Sequence, residues 1–451
     1  MSTALNIVKN GLASSLDKAA KICEQLMLVP FFIIHWGVAY YGDWITLTIL
    51  PTFFALANLG FGTAAGNTFV LKYSSGNKEK AANTIKTGLR VMHIGIFVLL
   101  IISLIVLEIL NYVGVFSNLN INSFDAKWSV FFMFAAAVST FYLSIFECFY
   151  RVVGQAHIGI FLQAITTFLK VGIGIVLLYA GAKALNYALM IFIITLIVNI
   201  VYICIAIKFI KFKEYKKAIY DKDEAIYLFK KGFGYFLSPL WQAIYYQGTT
   251  FIIRVVLGPA GVVLFNTVRT LINSSSQVFN IVANAIYPEF QLAVAKNDEK
   301  NTKNLYILLI NFNLIASIVF ILFFGLFGNW FYNWWTHNQI IVPTVVWIIM
   351  TSRILFYALW FSYSFVFQAN NDPYPLTTTG IFVSIISVFI TWICSSIWGV
   401  VGAAIGIFIF DILMFLVLKK ISKKYLLIYI SDIVVNFNEL RNKFLSKIKS
   451  R

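Results

Sequence analysis

The sequence predicts an all-α integral membrane protein of about twelve transmembrane helices in two six-helix halves. Three observations predict it. Apolar runs long enough to cross a hydrocarbon layer of about 30 Å follow one another along the whole chain. Hydrophobic residues make up 60% of the sequence and charged residues 12%, at a mean hydropathy of +0.83. Finally, Gly37-Val38-Ala39 leads out of the first run and Gly258-Pro259-Ala260 out of the seventh, 221 positions later.

The first run, 18–36, has a strictly apolar part, Leu26 to Trp36, that is too short to span, so it must take in Lys21, Glu24 and Gln25. Runs at 45–70, 88–112, 127–150, 156–180 and 184–209 complete a first half, residues 1–210. A charged connection, 211–232, leads into a second half, 233–420, with runs at 233–257, 261–288, 304–328, 341–368, 374–396 and 399–418. Residues 421–451 form a basic tail, and no soluble domain fits between the runs. Asn77-Lys78-Glu79-Lys80 matches Asn297-Asp298-Glu299-Lys300 at a shift of 220. Six spans per half is an even number, so the halves share an orientation and relate by an axis along the membrane normal.

Basic residues orient the chain. One set of connections carries Lys9 and Lys18, Lys72 to Lys86, Arg151, Lys208 to Lys231, Lys296 to Lys303 and the tail from Lys419. The opposite set carries Lys127 and Lys183. The asymmetry places both termini in the cytoplasm, and it gives the net charge of +17 a meaning as topology rather than as nucleic-acid binding. Trp330, Phe331, Tyr332, Trp334 and Trp335 form an interfacial belt on the far side. The stretch from Tyr425 to Lys449 is basic and partly amphipathic, suited to the anionic inner leaflet. The polar first residues are not followed by a small-residue cleavage site, so no cleavable signal peptide is expected.

Four basic residues fall well inside the runs: Lys170, Arg254, Arg269 and Arg353. Each costs about 3 kcal/mol facing lipid. They must therefore be paired or face water, and intramembrane acids are few: Glu24, Glu108, Glu147 and Asp411. Glu24, Glu147 and Asp411 are the candidates for ion coupling. In the eighth run Asn266, Arg269, Asn273, Gln277, Asn280 and Asn284 share an arc of roughly 80° on a helical wheel. Arg353, Tyr357, Trp360 and Ser364 share one face of the tenth run, and Gln163, Thr166 and Lys170 one face of the fifth. Gln247 precedes Arg254 on the seventh. Cations suit an anionic group, and amides, hydroxyls and aromatic faces suit sugars. Arg269, Arg353, Lys170 and Arg254 are thus expected to bind a diphosphate, and Asn266, Asn273, Gln277, Asn280, Tyr357, Trp360 and Gln247 a glycan. A cavity with this field repels organic cations. The competing role for the amides is helix–helix adhesion.

The four cysteines and four histidines are scattered without metal or redox spacing, so no metal or cofactor is expected. The short outer loops lack the catalytic residues of a polysaccharide polymerase or glycosyltransferase, and no enzyme is expected.

Tyr41-Gly42-Asp43-Trp44, Leu59-Gly60-Phe61-Gly62 and the stretch from Leu257-Gly258 through Asn266-Thr267-Val268-Arg269 to Tyr287-Pro288-Glu289-Phe290 carry a resemblance. They look like motifs of the polysaccharide flippases, the lipid-linked O-antigen and capsule repeat-unit transporters of the multidrug/oligosaccharidyl-lipid/polysaccharide (MOP) superfamily. The resemblance implies a V-shaped bundle around a cationic central cavity, to which Lys170, Arg254, Arg269 and Arg353 would contribute. It implies an inner-membrane flippase for an undecaprenyl-diphosphate-linked oligosaccharide, working among membrane lipids beside polymerase and chain-length proteins, without nucleic acid. The rival reading is a drug or cation exporter of the same fold.

The charge asymmetry makes a direct prediction. A reporter fused at Lys217 or at the C-terminus reads as cytoplasmic and one fused at Asn338 as periplasmic; Lys217 and Asn338 on one side would refute twelve spans.

Overall fold

The computed structural model describes residues 3–55, 60–210, 213–295, 298–370, 372 and 374–425. Leu59 and Asn297 of the motifs above, and the amphipathic tail beyond Tyr425, lie outside these. The described residues are helical almost throughout: α1 (Thr3–Leu47), α2 (Ile49–Ala55), α3 (Phe61–Ser74), α4 (Lys78–Tyr112), α5 (Ser123–Ser139), α6 (Phe141–Val152), α7 (Ala156–Tyr179), α8 (Ala184–Phe209), α9 (Lys222–Ala243), α10 (Thr249–Asn273), α11 (Ser275–Ala295), α12 (Glu299–Phe323), α13 (Asn329–Trp335), α14 (Thr344–Ala369), α15 (Tyr374–Trp398) and α16 (Val400–Ser422). Among the described residues ten helical stretches are long and apolar enough to cross a membrane. Two of them, Lys9–Phe53 and Pro239–Asn284, are broken by Gly37 and Gly258 and so hold parts of two spans each. With α3, which completes the second span, the count is twelve. The chain is a multi-pass membrane protein.

Both breaks use a backbone that side chains disfavour. Gly37 has φ 73° and ψ 165°, Gly258 φ 73° and ψ −173°. Glycine enters this region freely, whereas other residues strain. Helix starts extend the repeat. Asn77 caps α4 by accepting from the Lys80 amide (3.2 Å), and Asp298 caps α12 by accepting from Asn301 (3.0 Å). These caps are again 221 positions apart, so the match aligned at a shift of 220 belongs one residue further on. Ser123 and Thr344, which open α5 and α14, keep the same spacing.

The chain forms two compact units, Met1–Ala243 and Ile244–Arg451. In the first, α1 packs on α7, α3 on α4 and α6, and α5 on α8, around a core that includes Phe69, Ile85, Phe146, Tyr150 and Tyr202. Asp43 of the Tyr41–Trp44 motif is buried and accepts from Asn120 Nδ2 (2.8 Å), pinning the connection between α4 and α5. The basic connection is docked on α4: Lys86 Nζ donates to the Ala218 carbonyl (2.6 Å), Asn83 Oδ1 accepts from Ile219 N (2.9 Å) and Thr87 Oγ1 accepts from Asp221 N (3.0 Å). Arg90 lies over the Tyr220 ring at 4.9 Å. Lys72 and Thr84 both donate to Glu224 Oε1, at 2.6 and 2.7 Å, and hold the start of α9.

In the second unit α15 and α16 come close through small residues. A Cβ on Gly402 would stand 1.9 Å from the Cys394 carbonyl oxygen, and one on Gly406 2.0 Å from Thr391 Oγ1. Ser387 Oγ fills the contact by donating to the Gly406 carbonyl (2.9 Å). Such small-residue seams bring helices together where lipid supplies no hydrophobic drive. Below them, Tyr425 donates to Asp372 Oδ2, a bond that raises the phenol above its ordinary pKa.

No atom lies within 4 Å of where a Cβ would sit on Gly37 or Gly258, so alanine there meets backbone strain and no clash. Gly37→Ala and Gly258→Ala should each cost about 1–3 kcal/mol and lower the thermal midpoint of purified protein by similar amounts. A cost at one site alone would contradict the equivalence of the two breaks.

Candidate functional site

Two polar sites stand out, one in each unit. The more buried set of charged groups lies in the second unit, where α9 leads through a π-helical turn, Ile244–Gly248, into α10. Such turns put backbone carbonyls out of register with their helix. The Tyr246 carbonyl accepts from Thr250 Oγ1 (2.9 Å) and from Arg269 Nη1 (3.3 Å). Arg269 Nη2 donates to Thr250 Oγ1 (3.1 Å) and to Asn266 Oδ1. The guanidinium also lies over the rings of Tyr246 (5.3 Å) and Phe265 (5.4 Å). Every acceptor around Arg269 is neutral, and no carboxylate among the described residues reaches it within 4.0 Å. Among the described residues no carboxylate compensates its charge.

Arg353 stands differently. Its Nε donates to Asp411 Oδ2 at 2.7 Å, and the pair is 2% and 0% exposed. Trp360 Nε1 donates to the other carboxylate oxygen (2.8 Å). Arg353 Nη1 donates to Asn273 Oδ1 (3.1 Å) and Nη2 to the Tyr245 hydroxyl (3.4 Å), and Tyr245 stacks on Phe410 at 3.9 Å. This network ties the π-helical turn, α10, α14 and α16 into one body. The sequence reading took partners for the inner cations to be scarce; for Arg353 the structure supplies one 58 positions away. Removing either half of a buried pair strands a charge at a cost of about 3–5 kcal/mol.

The eighth-run amides divide among separate tasks. Asn266 serves Arg269 and donates to the Val262 carbonyl (2.9 Å); Asn273 serves Arg353. Asn280 donates to the Ser276 carbonyl (2.8 Å). Between them Ser274, Ser275 and Ser276 each donate to a carbonyl three residues back, at 2.6–2.7 Å, a pattern that bends helices. Gln277 and Gln247 are half-buried. Tyr357 stacks with Phe279 (6.1 Å) and meets Trp360 edge-on (5.0 Å). Arg254 is half-buried four residues before the glycine break.

In the first unit Lys170 lines a cavity of about 410 Å³ with Gln163, Thr166, Asn199, Asp17 and Glu147. Glu24 of α1 acts on Lys170 through charge but stays beyond ion-pair distance. Asp17 is paired with Lys21 (2.8 Å), and Glu147 with Arg151 (3.7 Å). The sequence reading passed over Asp17 and Asn199. Asn199 carried a signal, as an amide in an otherwise apolar run, and its Nδ2 donates to Ser139 Oγ (2.9 Å). No cluster of metal-ligating side chains occurs among the described residues.

The ion pair makes its own prediction. Asp411→Asn should lower the stability of the purified protein by about 3–5 kcal/mol, whereas an Arg353→Met, Asp411→Leu double variant should recover most of the loss. Thermal unfolding of the two variants beside the wild type checks this, and equal loss in single and double variants would refute it.

Neither a family model nor a curated protein sequence matches the chain. Solved structures do. An inward-facing multidrug resistance MATE family transporter of the MOP superfamily matches with a TM-score of 0.73 at 15% identity, over 93% of this chain and 98% of that one. The lipid II flippase MurJ, inward closed, matches at 0.68 and 16%, over 100% and 93%. A MOP superfamily transporter from Pyrococcus furiosus, described by a binding pocket of reversed polarity that suggests a different function, matches at 0.60 and 14%, over 93% and 96%. At these identities the likeness concerns the fold: the chain is an all-α integral membrane protein built on the fold that MATE transporters share with MurJ.

Proposed function

We propose that the chain is a flippase that moves an undecaprenyl-diphosphate-linked oligosaccharide, an O-antigen or capsule repeat unit, from the cytoplasmic to the periplasmic leaflet by alternating access. The observation that carries the reading is Arg269, a half-buried guanidinium with no carboxylate among the described residues within 4.0 Å. A planar cation without a counter-charge is built to receive a bidentate oxyanion, and a diphosphate is one. Lys170 lines a separate cavity in the first unit, among amides, hydroxyls and the carboxylates of Asp17 and Glu147. Arg353 orients the site, since Asp411 holds its Nε while Asn273 and Tyr245 take its other nitrogens. The lipid tail stays in the bilayer while the headgroup crosses, so the protein need enclose the polar part alone. Both termini and the docked connection lie on the cytoplasmic face of an inner membrane.

Export of organic cations is the second reading, favoured by Asp17 and Glu147 on the wall of the Lys170 cavity. The two readings part on the sign of the transported charge.

Arg269→Ala should cut leaflet transfer of the lipid-linked oligosaccharide in proteoliposomes more than about tenfold, the worth of a charge-assisted hydrogen bond, at unchanged membrane abundance. Arg269→Lys should keep part of the rate. Normal transfer by Arg269→Ala, or uptake of an organic cation in place of the anionic lipid, would overturn the flippase reading.

A further inference from the structure

We propose that a cavity between α11 and α14 is a subsite for one neutral sugar ring. The polar faces of these helices are joined at intervals. At one end Arg353 Nη1 of α14 reaches Asn273 Oδ1, on the last residue of α10 (3.1 Å), and one turn on Tyr357 stacks with Phe279 of α11 (6.1 Å). At the other end the Tyr287 hydroxyl donates to the Gln368 carbonyl (3.3 Å). Between these rungs the described side chains of the two helices turn away from one another. Asn280 Nδ2 turns back to the Ser276 carbonyl (2.8 Å), and Ser364 Oγ to the Phe361 carbonyl (2.7 Å). The gap is a cavity of about 150 Å³ lined by Asn280, Asn284, Ser364, Gln368, Phe361 and Phe365.

The lining selects a ligand class. None of the described lining residues bears a formal charge, so an ion entering here would lose its hydration without a counter-charge. An apolar ligand would leave the amides unpaired, which is also costly. Amides donate and accept together, as sugar hydroxyls do, and the phenyl rings suit the C–H face of a pyranose. The volume equals that of about five waters, room for one ring and not for a chain of them. The proposal rests on the flippase reading for the source of the ring, the glycan of the lipid-linked substrate. Arg269 then holds the charged part common to such lipids, and this cavity discriminates among glycans.

The test uses the full chain in nanodiscs with methyl glycosides of glucose, galactose, mannose and N-acetylglucosamine, read by saturation-transfer NMR. At least one glycoside should receive saturation. Ser364→Leu, which fills the gap, should abolish the signal, and an Asn280→Ala, Asn284→Ala double variant should weaken binding about tenfold. The double variant loses side-chain atoms and adds none, so it reports even where the leucine misfolds. No transfer to any glycoside means a cavity filled by water alone and overturns the proposal; so does equal transfer to wild type and double variant. Leaflet transfer in proteoliposomes is the separate arm. Sugar binding without lipid transfer sinks the flippase reading and keeps the subsite; lipid transfer without sugar binding does the reverse.

Discussion

The ion pair of Arg353 and Asp411 governs the second unit. In a span neither charge could stand alone, because hydrocarbon offers an unpaired ion nothing in place of water. Together, and with Trp360, Tyr245 and Asn273 on the remaining donors and acceptors, they form a neutral and nearly saturated knot. That knot fixes α14 against α16 and sets the Tyr245 side of the π-helical turn. The Tyr246 carbonyl of the same turn then receives Arg269. Among the described residues the geometry thus decides which of these two arginines Asp411 cancels: it is Arg353 and not Arg269.

Much of the fold was legible in the sequence. Apolar runs of spanning length announce helices because lipid leaves the backbone few other ways to satisfy itself. The glycines at 37 and 258 announced breaks, and both adopt the same positive φ. The site was legible in parts. A helical wheel places Asn266, Asn273 and Asn280 on one side of one helix, but it is silent on which neighbour each meets. They meet Arg269, Arg353 and a carbonyl of their own helix, and no periodicity separates those fates. Asp411 was visible as an intramembrane acid, yet its partner lies two helices away, where local pattern carries no information.

The two units present their cations in unlike ways. Lys170 is a compact, strongly hydrated charge beside a cavity that also holds carboxylates. Arg269 is a flat, delocalised one held between aromatic faces and neutral oxygens. The first can exchange partners with little reorganisation, since its stem is flexible. The second is preorganised and loses less freedom when an oxyanion takes the place of its present acceptors.

The docked connection bears on how the protein is made. The face of α4 that carries Asn83, Lys86, Thr87 and Arg90 is completed by residues near Ala218, 132 positions after Lys86. At a synthesis rate of about 5–20 residues per second, that face waits roughly 7–26 s for its partner to emerge from the ribosome. During that interval its lysine and arginine lack the carbonyl and the ring that later receive them. The ordering of this face of α4 is thus set by the arrival of the connection and not by α4 alone.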